Sequence, residues 1–234
     1  MKKDGRVVAA LRAAFPKTIP ILAGFWFIGL TYGMYMHASG FSFIYPMIMS
    51  IVILGGSLEF VAVSLLTQPF NPIQAFAVTV MIQARHLFYS IAMLEKYKDT
   101  GLKKPYLIFG MCDETFSINC SADIPPDIDR GWFYFWVTIL DHFYWVSGAT
   151  MGGILGSVLV FDTTGLDFVL TAMFIVIFLE QWLKEKNRAS AYIGFAASIA
   201  CLMIFGADNF LVPSMIAILV SLTFLRGPIE RVGV

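Results

Sequence analysis

The sequence predicts an all-α, polytopic transmembrane helical bundle, and two observations carry this prediction. Hydrophobic residues make up 58% of the 234-residue chain and charged residues only 14%, which leaves too little polar side chain to cover a water-soluble surface. Several apolar stretches also approach the roughly 20 residues that an α-helix needs to cross a bilayer. We therefore expect about seven spans, within limits of about six and eight.

Composition also excludes several classes of function. The formal net charge is zero, and no basic run beyond the amino-terminal tail suggests a nucleic-acid partner. The three cysteines, Cys112, Cys120 and Cys201, are odd in number and lack C-x-x-C spacing. Neither a disulfide framework nor a thiolate metal site is therefore indicated, and we expect no metal and no cofactor.

The amino-terminal segment, residues 1–18, is basic and is predicted to stay in the cytoplasm. The first apolar run, Ile19 to Met36, follows it. This run is longer than a secretory h-region and lacks an A-x-A cleavage site, so we expect an uncleaved first span.

Seven further apolar segments follow the first. They are Phe43–Leu66, Pro72–Leu94, Tyr106–Ile118, Trp132–Phe161, Phe168–Leu183, Ala191–Phe205 and Phe210–Leu225. Tyr106–Ile118 is too short for a full span, because about 13 residues at 1.5 Å each cover only about 20 Å. We expect a broken or re-entrant segment near 106–118.

The distribution of lysine and arginine leaves two topologies open. An eight-span arrangement with both termini inside puts Lys96, Lys98, Lys103 and Lys104 on the outer side. In a six-span arrangement, the third and fourth segments both re-enter. Every lysine and arginine that is not in an apolar segment then lies on the inner side. The first breaks the positive-inside rule at one loop, whereas the second treats a long apolar stretch as a hairpin.

Two further patterns concern the packing of the helices. Ile51–Leu65 and Thr171–Leu183 each carry one Glu late in an apolar run, which suggests an internal repeat of the kind found in secondary transporters. Small-residue stripes predict close approach of two helices within the protein. The stripes are formed by Gly29 and Gly33, and by Gly148, Gly152 and Gly156.

Ionisable residues inside apolar segments are costly, so each needs a partner, a water-filled cavity or a function. Glu59 lies four residues after Gly55, which leaves room beside its carboxyl group on a helix. Gly55, Gly56 and Ser57 also indicate an unwound stretch, as in the broken helices of transporters. The alternative is close helix packing, with Glu59 paired to an arginine.

The third segment contains Gln83, Arg85 and His86. Arg85 is the one cation deep in an apolar segment and is the expected counter-charge for Glu59, Asp113 or Glu114. Its guanidinium group could also hold a substrate carboxylate. His86 titrates near neutral pH and could carry a proton, or it could make a structural hydrogen bond.

The short fourth segment carries two adjacent acids, Asp113 and Glu114, which we expect to face a cavity together with Glu59 and Arg85. The alternative is an interfacial loop with solvated acids. Asp141 and His142 in the fifth segment are weaker candidates. Glu180, four residues before Lys184, fits an ordinary interfacial pair.

Signatures of membrane-embedded enzymes are missing from the sequence. It contains no H-E-x-x-H and no G-x-S-x-G motif, so we expect no catalytic activity. A passive channel is the nearer rival to a carrier, because buried charges also line pores. A carrier for another small solute also remains open.

Three motifs agree in their order and spacing with those of one known family. They are Leu54–Phe60 (LGGSLEF), Ala84–Tyr89 (ARHLFY) and Gly110–Phe116 (GMCDETF). They resemble the AzlC family, the large subunit of branched-chain amino-acid exporters, and the hydrophobic layout is similar over nearly the whole chain.

The resemblance implies a single transporter domain over residues 1–234, in the cytoplasmic membrane of a prokaryote. It implies efflux of valine, leucine and isoleucine, with methionine as a further candidate, driven by the proton gradient and aided by a small AzlD-like membrane subunit. It adds Tyr89 of the R-H-x-x-Y motif to the expected substrate and proton pathway. Relatives often read G-A-S-Q-F where this chain has Glu59, so the substrate or the coupling could differ.

The residue chemistry independently fits a zwitterionic substrate. Arg85 could take a carboxylate, a neighbouring acid could take an ammonium group, and Met- and Phe-rich walls could take an aliphatic side chain.

Overall fold

The computed structural model is helical, and no strand occurs among its described residues, which are 3–158, 188–206 and 210–225 with isolated positions between 175 and 183. The all-α prediction is therefore confirmed. The chain divides into two compact units, Met1–Leu166 and Asp167–Val234. Most of the predicted segment Phe168–Leu183, with Glu180 and the second half of the suggested repeat, lies outside the described residues.

Seven α-helices and one short 3-10 helix make up the described part of the first unit. They are α1 (Lys3–Ala38), α2 (Ile44–Val52), α3 (Gly56–Thr67), α4 (Pro72–Met93), the 3-10 helix (Gly101–Lys103), α5 (Lys104–Phe109), α6 (Asp113–Ser121) and α7 (Arg130–Val158). In the second unit, α8 (Ala189–Phe205) and α9 (Leu211–Phe224) pack against each other.

Length and hydropathy identify one described helix that could cross a membrane by itself, over Gly5–Ala38. Helix α4 is a second candidate if its two parts, Pro72–Val80 and Ile82–Met93, which are bent by 45°, form one span.

Helices α1 and α7 form the scaffold of the first unit and run parallel to each other. Near their starts, Trp136 Nε1 donates a hydrogen bond to the carbonyl oxygen of Val7 at 3.1 Å. Near their ends, a Cβ added to Gly156 would lie 2.9 Å from the Cβ of His37. We call the end at which both helices begin the amino-terminal end, and the other the opposite end.

Glycines let these two helices approach backbone to backbone. A Cβ added to Gly29 would lie 3.0 Å from the backbone nitrogen of Ala149, and one added to Gly33 or Gly152 would overlap the backbone of the other helix. The two predicted glycine stripes therefore pack against each other, which confirms that they serve close packing within the protein.

The second apolar segment is a broken helix that enters from the opposite end of the scaffold. Helix α2 begins there, since a Cβ added to Gly153 would lie 2.8 Å from the Cα of Phe43. The chain then reaches α7 between Thr138 and Trp145, where Leu54 and Thr138 both lie near Gly110 and Gly56 lies against Trp145. Helix α2, with 9 residues against the 29 of α7, therefore covers only part of the scaffold's length.

Helix α3 returns from the middle to the opposite end. The ring of Phe60 packs against Tyr32 and Tyr35 of α1, with centroid distances of 5.3 and 6.2 Å. Helices α2 and α3 thus form a hairpin whose tip, residues 53–55, lies at mid-height.

Helix α4 runs antiparallel to α3 and continues to the amino-terminal end. It begins after a short link, where the Asn71 side chain caps it by accepting hydrogen bonds from the backbone N–H groups of Ile73 and Gln74 at 3.1 and 3.2 Å. It ends at Met93, which is buried in one cluster with Ala14 of α1. The third apolar segment is therefore a single helix, bent by 45° between Val80 and Ile82, and not a pair of antiparallel helices.

Helices α5 and α6 form a second hairpin, which enters from the amino-terminal end. Lys103 Nζ lies 4.3 Å from the ring centroid of Trp132, near the start of α7, and Gly110 reaches Thr138 at mid-height. Helix α6 returns, because Lys96 Nζ, three residues after the end of α4, donates to the carbonyl oxygens of Asn119 and Cys120. The predicted break near 106–118 is therefore present, at residues 110–112.

The first unit therefore contains the same arrangement twice, a long helix followed by a helical hairpin, and the two hairpins enter from opposite ends. Helix α1 is followed by the α2–α3 hairpin, and α4 is followed by the α5–α6 hairpin from the other end. This pair of segments differs from the repeat suggested by Ile51–Leu65 and Thr171–Leu183. Opposed broken helices of this kind are typical of secondary transporters.

Candidate functional site

The tips of the two hairpins lie against each other beside the middle of α7. A Cβ added to Gly110 would lie 3.8 Å from Cδ2 of Leu54 and would overlap the methyl group of Thr138. Leu54 has a φ of +44°, a left-handed conformation that is strained for a branched side chain. Glycine is a poor helix former, so Gly55 and Gly56 at one tip and Gly110 at the other favour these breaks.

Arg85 of α4 connects the first turns of both returning helices. Its Nη2 lies 3.1 Å from Oδ2 of Asp113 in α6 and donates to Oγ of Ser57 in α3 at 3.3 Å. The side chains of Arg85 and Asp113 are about one-third exposed, at 31% and 32%. Of the three acids predicted as counter-charges, the arginine therefore pairs with Asp113.

Several polar atoms around this ion pair are buried without a hydrogen-bond partner among the described residues. They are Nε of Arg85, Oδ1 of Asp113 and Oε1 of Gln83. Buried polar groups are normally satisfied, so this free donor and these two free acceptors are able to bind a polar ligand or water. The amide of Gln83 also contacts the backbone position of Gly55 at the first tip.

Two aromatic residues of the predicted pathway extend the site along α4. The ring of Tyr89 stacks on Phe116 of α6, with centroids 4.4 Å apart, and His86 meets Tyr89 edge to face at 5.6 Å. His86 Nδ1 lies 3.3 Å from the carbonyl oxygen of Gln83, which is the structural hydrogen bond considered as an alternative to proton transfer.

Glu59 belongs to the same turn of α3 as Ser57, but its carboxyl group lies at a different position. It is fully buried, and its Oε1 accepts hydrogen bonds from Gly55 N at 3.1 Å and from Trp145 Nε1 at 2.9 Å. The alternative considered from the sequence, Glu59 paired with an arginine, is not what the structure has, since Arg85 with Asp113 is the one ion pair in the described part of the chain.

Asp141 of α7 and Glu114 of α6 lie near the second hairpin tip outside the ion pair. Asp141 is 1% exposed and its Oδ2 accepts a hydrogen bond from Thr115 Oγ1 at 3.0 Å, while Thr115 Oγ1 lies 3.2 Å from Cys112 Sγ. Glu114 is half-buried beside Asp113 in the first turn of α6. The sequence left the position of Asp141 along its helix open. The structure places it beside Thr115 in the first turn of α6, near the second hairpin tip.

His142 lies apart from the ion pair. Its Nδ1 is 2.9 Å from the hydroxyl of Tyr106, and it lines an apolar groove of about 370 Å³ with Ile51, Phe135 and Phe143. Apart from His142, the structure therefore brings the candidate residues to the hairpin tips or to α4 beside them. Within this set, the Glu59 carboxyl group binds Gly55 and Trp145 and does not join the Arg85–Asp113 pair.

Two residues at these positions were not predicted from the sequence. Trp145 donates to Glu59, and Thr115 donates to Asp141. A buried tryptophan needs an acceptor for its N–H group, so Trp145, one turn after Asp141 on α7, could have been proposed as a partner for a buried acid. Among the described residues, no group of three or more His, Cys, Asp or Glu side chains could hold a metal ion.

Comparison with known proteins places the chain in a family. The family model described as AzlC protein matches residues 20–159. The chain is 57% identical to the Branched-chain amino acid transport protein AzlC of Bacillus subtilis (strain 168), over 100% of this chain and 92% of that protein. No solved structure matches the chain.

Other relatives are named only as membrane proteins. An uncharacterized membrane protein of Haemophilus influenzae is 46% identical over 96% of this chain and 92% of its own length. One from Helicobacter pylori (strain J99) is 34% identical over 94% of this chain and 97% of its own length. The chain therefore belongs to the AzlC family, whose relatives are membrane proteins.

Proposed function

We propose that this chain is a proton-coupled secondary transporter that exports branched-chain amino acids from the cytoplasm. The substrates are valine, leucine and isoleucine, and methionine is the expected further substrate. The Bacillus subtilis relative is named as a branched-chain amino acid transport protein. The observation that carries the proposal is the set of unpaired polar atoms around Arg85 and Asp113, at the point where two broken helices meet.

These atoms complement the two charged groups of a free amino acid. A substrate carboxylate would take the free Nε of Arg85, and an ammonium group would take the free oxygens of Asp113 and Gln83. A side chain without polar atoms needs only apolar walls, which the stacked rings of Tyr89 and Phe116 supply. The substrate would thus lie between α3, α4 and α6.

We further propose a topology of six spans with two re-entrant hairpins. In residues 3–158, α1, α4 and α7 would cross the membrane, and the α2–α3 and α5–α6 hairpins would enter from opposite faces. Phe168–Leu183, α8 and α9 would supply the other three spans. This assigns re-entry to the second and fourth segments, rather than to the third and fourth.

The positions of the cations support this orientation. The cluster that contains Ala14, Met93 and Phe133 brings the link between α4 and α5 to the same end as the basic start of α1. The four lysines of the link and the first residue of α5 therefore lie with the amino-terminal cations, whereas residues 39–43 and 68–71 at the opposite end contain no lysine or arginine. The amino-terminal end would be cytoplasmic, in the inner membrane of a prokaryote.

Transport by purified protein tests the proposed function. Proteoliposomes would hold this chain with or without a small AzlD-like membrane subunit, and uptake of radiolabelled leucine would be measured under an imposed pH gradient. We expect leucine to accumulate above equilibrium, which a passive channel cannot achieve. Equilibration without accumulation would indicate a channel, and no leucine movement in either preparation would contradict the proposal.

A further inference from the structure

Glu59 is a buried acid with one satisfied and one unsatisfied oxygen. It has 0% exposure, Oε1 accepts both available hydrogen bonds, and Oε2 has no hydrogen-bond partner among the described residues. An ionised carboxyl group in such a position is strongly disfavoured unless a cation or water reaches it. The free oxygen is the atom to which a proton could bind.

No cation compensates for Glu59 in the described part of the chain. Tyr32 on α1 is the titratable group that interacts with it. Asp141 lies one turn before its partner Trp145 on α7, and Arg85 on α4 contacts Ser57, two residues before it. Tyr32 and Asp141 supply no positive charge, and Arg85 is paired with Asp113. The environment of Glu59 therefore favours a neutral carboxyl group in this conformation.

Glu59 is also connected mechanically to the ion pair. Its carboxyl group holds the backbone N–H of Gly55, just before α3, against Trp145 of the scaffold. Ser57, on the same turn of α3, accepts a hydrogen bond from Arg85. A change in the charge of Glu59 would therefore alter the first turn of α3 and, through Ser57, the position of Arg85.

We propose that Glu59 binds the proton that drives transport, at a site separate from the Arg85–Asp113 pair that binds the amino acid. This inference rests on the proposed function. The proton would pass from water on the outer face to Oε2 and leave to water on the cytoplasmic face, while the amino acid moves outward. No covalent bond of the substrate changes, and the described conformation would be the proton-bound one.

Glu59→Gln tests this inference, because glutamine keeps an oxygen that can accept from Gly55 and Trp145 but binds no proton at neutral pH. Two activities would be measured with radiolabelled leucine in proteoliposomes: accumulation driven by a pH gradient, and leucine–leucine exchange without a gradient. One pH unit can drive about a tenfold accumulation for one proton per substrate. We expect the ratio of driven accumulation to exchange to fall by about tenfold in E59Q.

The matched control is Glu95→Gln, which neutralises an exposed glutamate in the link after α4 and should keep the wild-type ratio. An E59Q protein that accumulates leucine like the wild type would overturn the inference. So would an E59Q protein that is folded but has lost exchange as well, because proton and substrate would then not use separate sites. Failure of the wild type to exchange leucine would instead contradict the proposed function.

A spectroscopic measurement tests the proton site without transport. Infrared difference spectra of the wild-type protein, taken on a change of pH, should contain the carbonyl band of a protonated carboxylic acid that is absent from E59Q and present in E95Q. The same band in E59Q would assign the titrating group to another residue and would overturn the inference.

Discussion

The two hairpins share a local pattern but use their acids differently. Each has a glycine at its tip and a glutamate four residues later, Gly55 with Glu59 and Gly110 with Glu114. In the α5–α6 hairpin, the acid next to that glutamate, Asp113, reaches Arg85 and is about one-third exposed. In the α2–α3 hairpin, Glu59 faces the scaffold and is fully buried.

This difference shows how one cation can divide several acids into separate roles. The charge of Arg85 can compensate for one carboxylate, and in the structure Arg85 pairs with Asp113. The pair remains partly open to solvent and so can exchange a protein contact for a substrate contact. Glu59 has hydrogen bonds from Trp145 and Gly55 but no counter-charge among the described residues, so its environment is suited to a proton.

The largest expected effect comes from removing the cation on which this comparison depends. Arg85→Gln keeps a hydrogen-bond donor but loses the charge that would hold both Asp113 and the substrate carboxylate. We expect leucine export to fall by about 100-fold, in line with the loss of a partly buried charge pair. Export would be measured in cells, with the amount of membrane-inserted protein determined in parallel.

Lys98→Gln is the control for Arg85→Gln, because Lys98 is an exposed cation in the α4–α5 link. It should leave export within about twofold of the wild type, as expected for a solvated surface charge. Normal export by a well-inserted R85Q protein would contradict the assignment of Arg85 to the substrate.

The second prediction compares the tips of the hairpins. A methyl group added at Gly110 would meet Thr138, a buried, branched side chain on α7, whereas one added at Gly55 would meet the flexible end of Gln83. We expect Gly110→Ala to destabilise the protein by about 2 kcal/mol and Gly55→Ala by less than about 1 kcal/mol. Thermal unfolding in detergent would measure both.

Gly24→Ala is the control for these substitutions, since a Cβ at that position has no atom within 4 Å apart from its chain neighbours and the nearby backbone of its own helix. Equal destabilisation by Gly110→Ala and Gly55→Ala would contradict the tighter packing of Gly110 against α7.

The third and smallest effect concerns the stability contributed by each acid. Asp113→Asn leaves Arg85 without its counter-charge, and because the pair is about one-third exposed we expect a loss of about 1 kcal/mol. Glu59→Gln can keep both hydrogen bonds and removes no ion pair, so its unfolding free energy should change by less than about 0.5 kcal/mol. A greater loss in E59Q than in D113N, measured by the same thermal assay, would reverse the comparison.

The sequence could predict the helical class, the polar residues and the break near 106–118, because each rests on local information. Apolar length indicates helices, and the 13-residue window Tyr106–Ile118 cannot cross a bilayer. The glycine stripes of α1 and α7 were likewise visible, since small residues at four-residue spacing predict close packing.

The pairing of acids could not be predicted, because it depends on the direction in which each helix leaves its break. Phe43–Leu66 is long enough to cross a bilayer as a continuous helix, and only the reversal at residues 53–55 turns Glu59 toward Trp145 and away from Arg85. For the same reason, periodicity did not reveal that the second segment folds as a helical hairpin.

Cysteine labelling from each side of the membrane tests the central claim, that two opposed hairpins bring the substrate site to mid-height. Ser42→Cys, Gln68→Cys, Lys98→Cys and Asp127→Cys would each be made in a chain without its native cysteines, at positions that are exposed in the structure. We expect an impermeant thiol reagent outside intact cells to label positions 42 and 68 alike and to label 98 and 127 only after lysis. Labelling of 42 and 68 from opposite sides would mean that Phe43–Leu66 crosses the membrane, and would contradict the account.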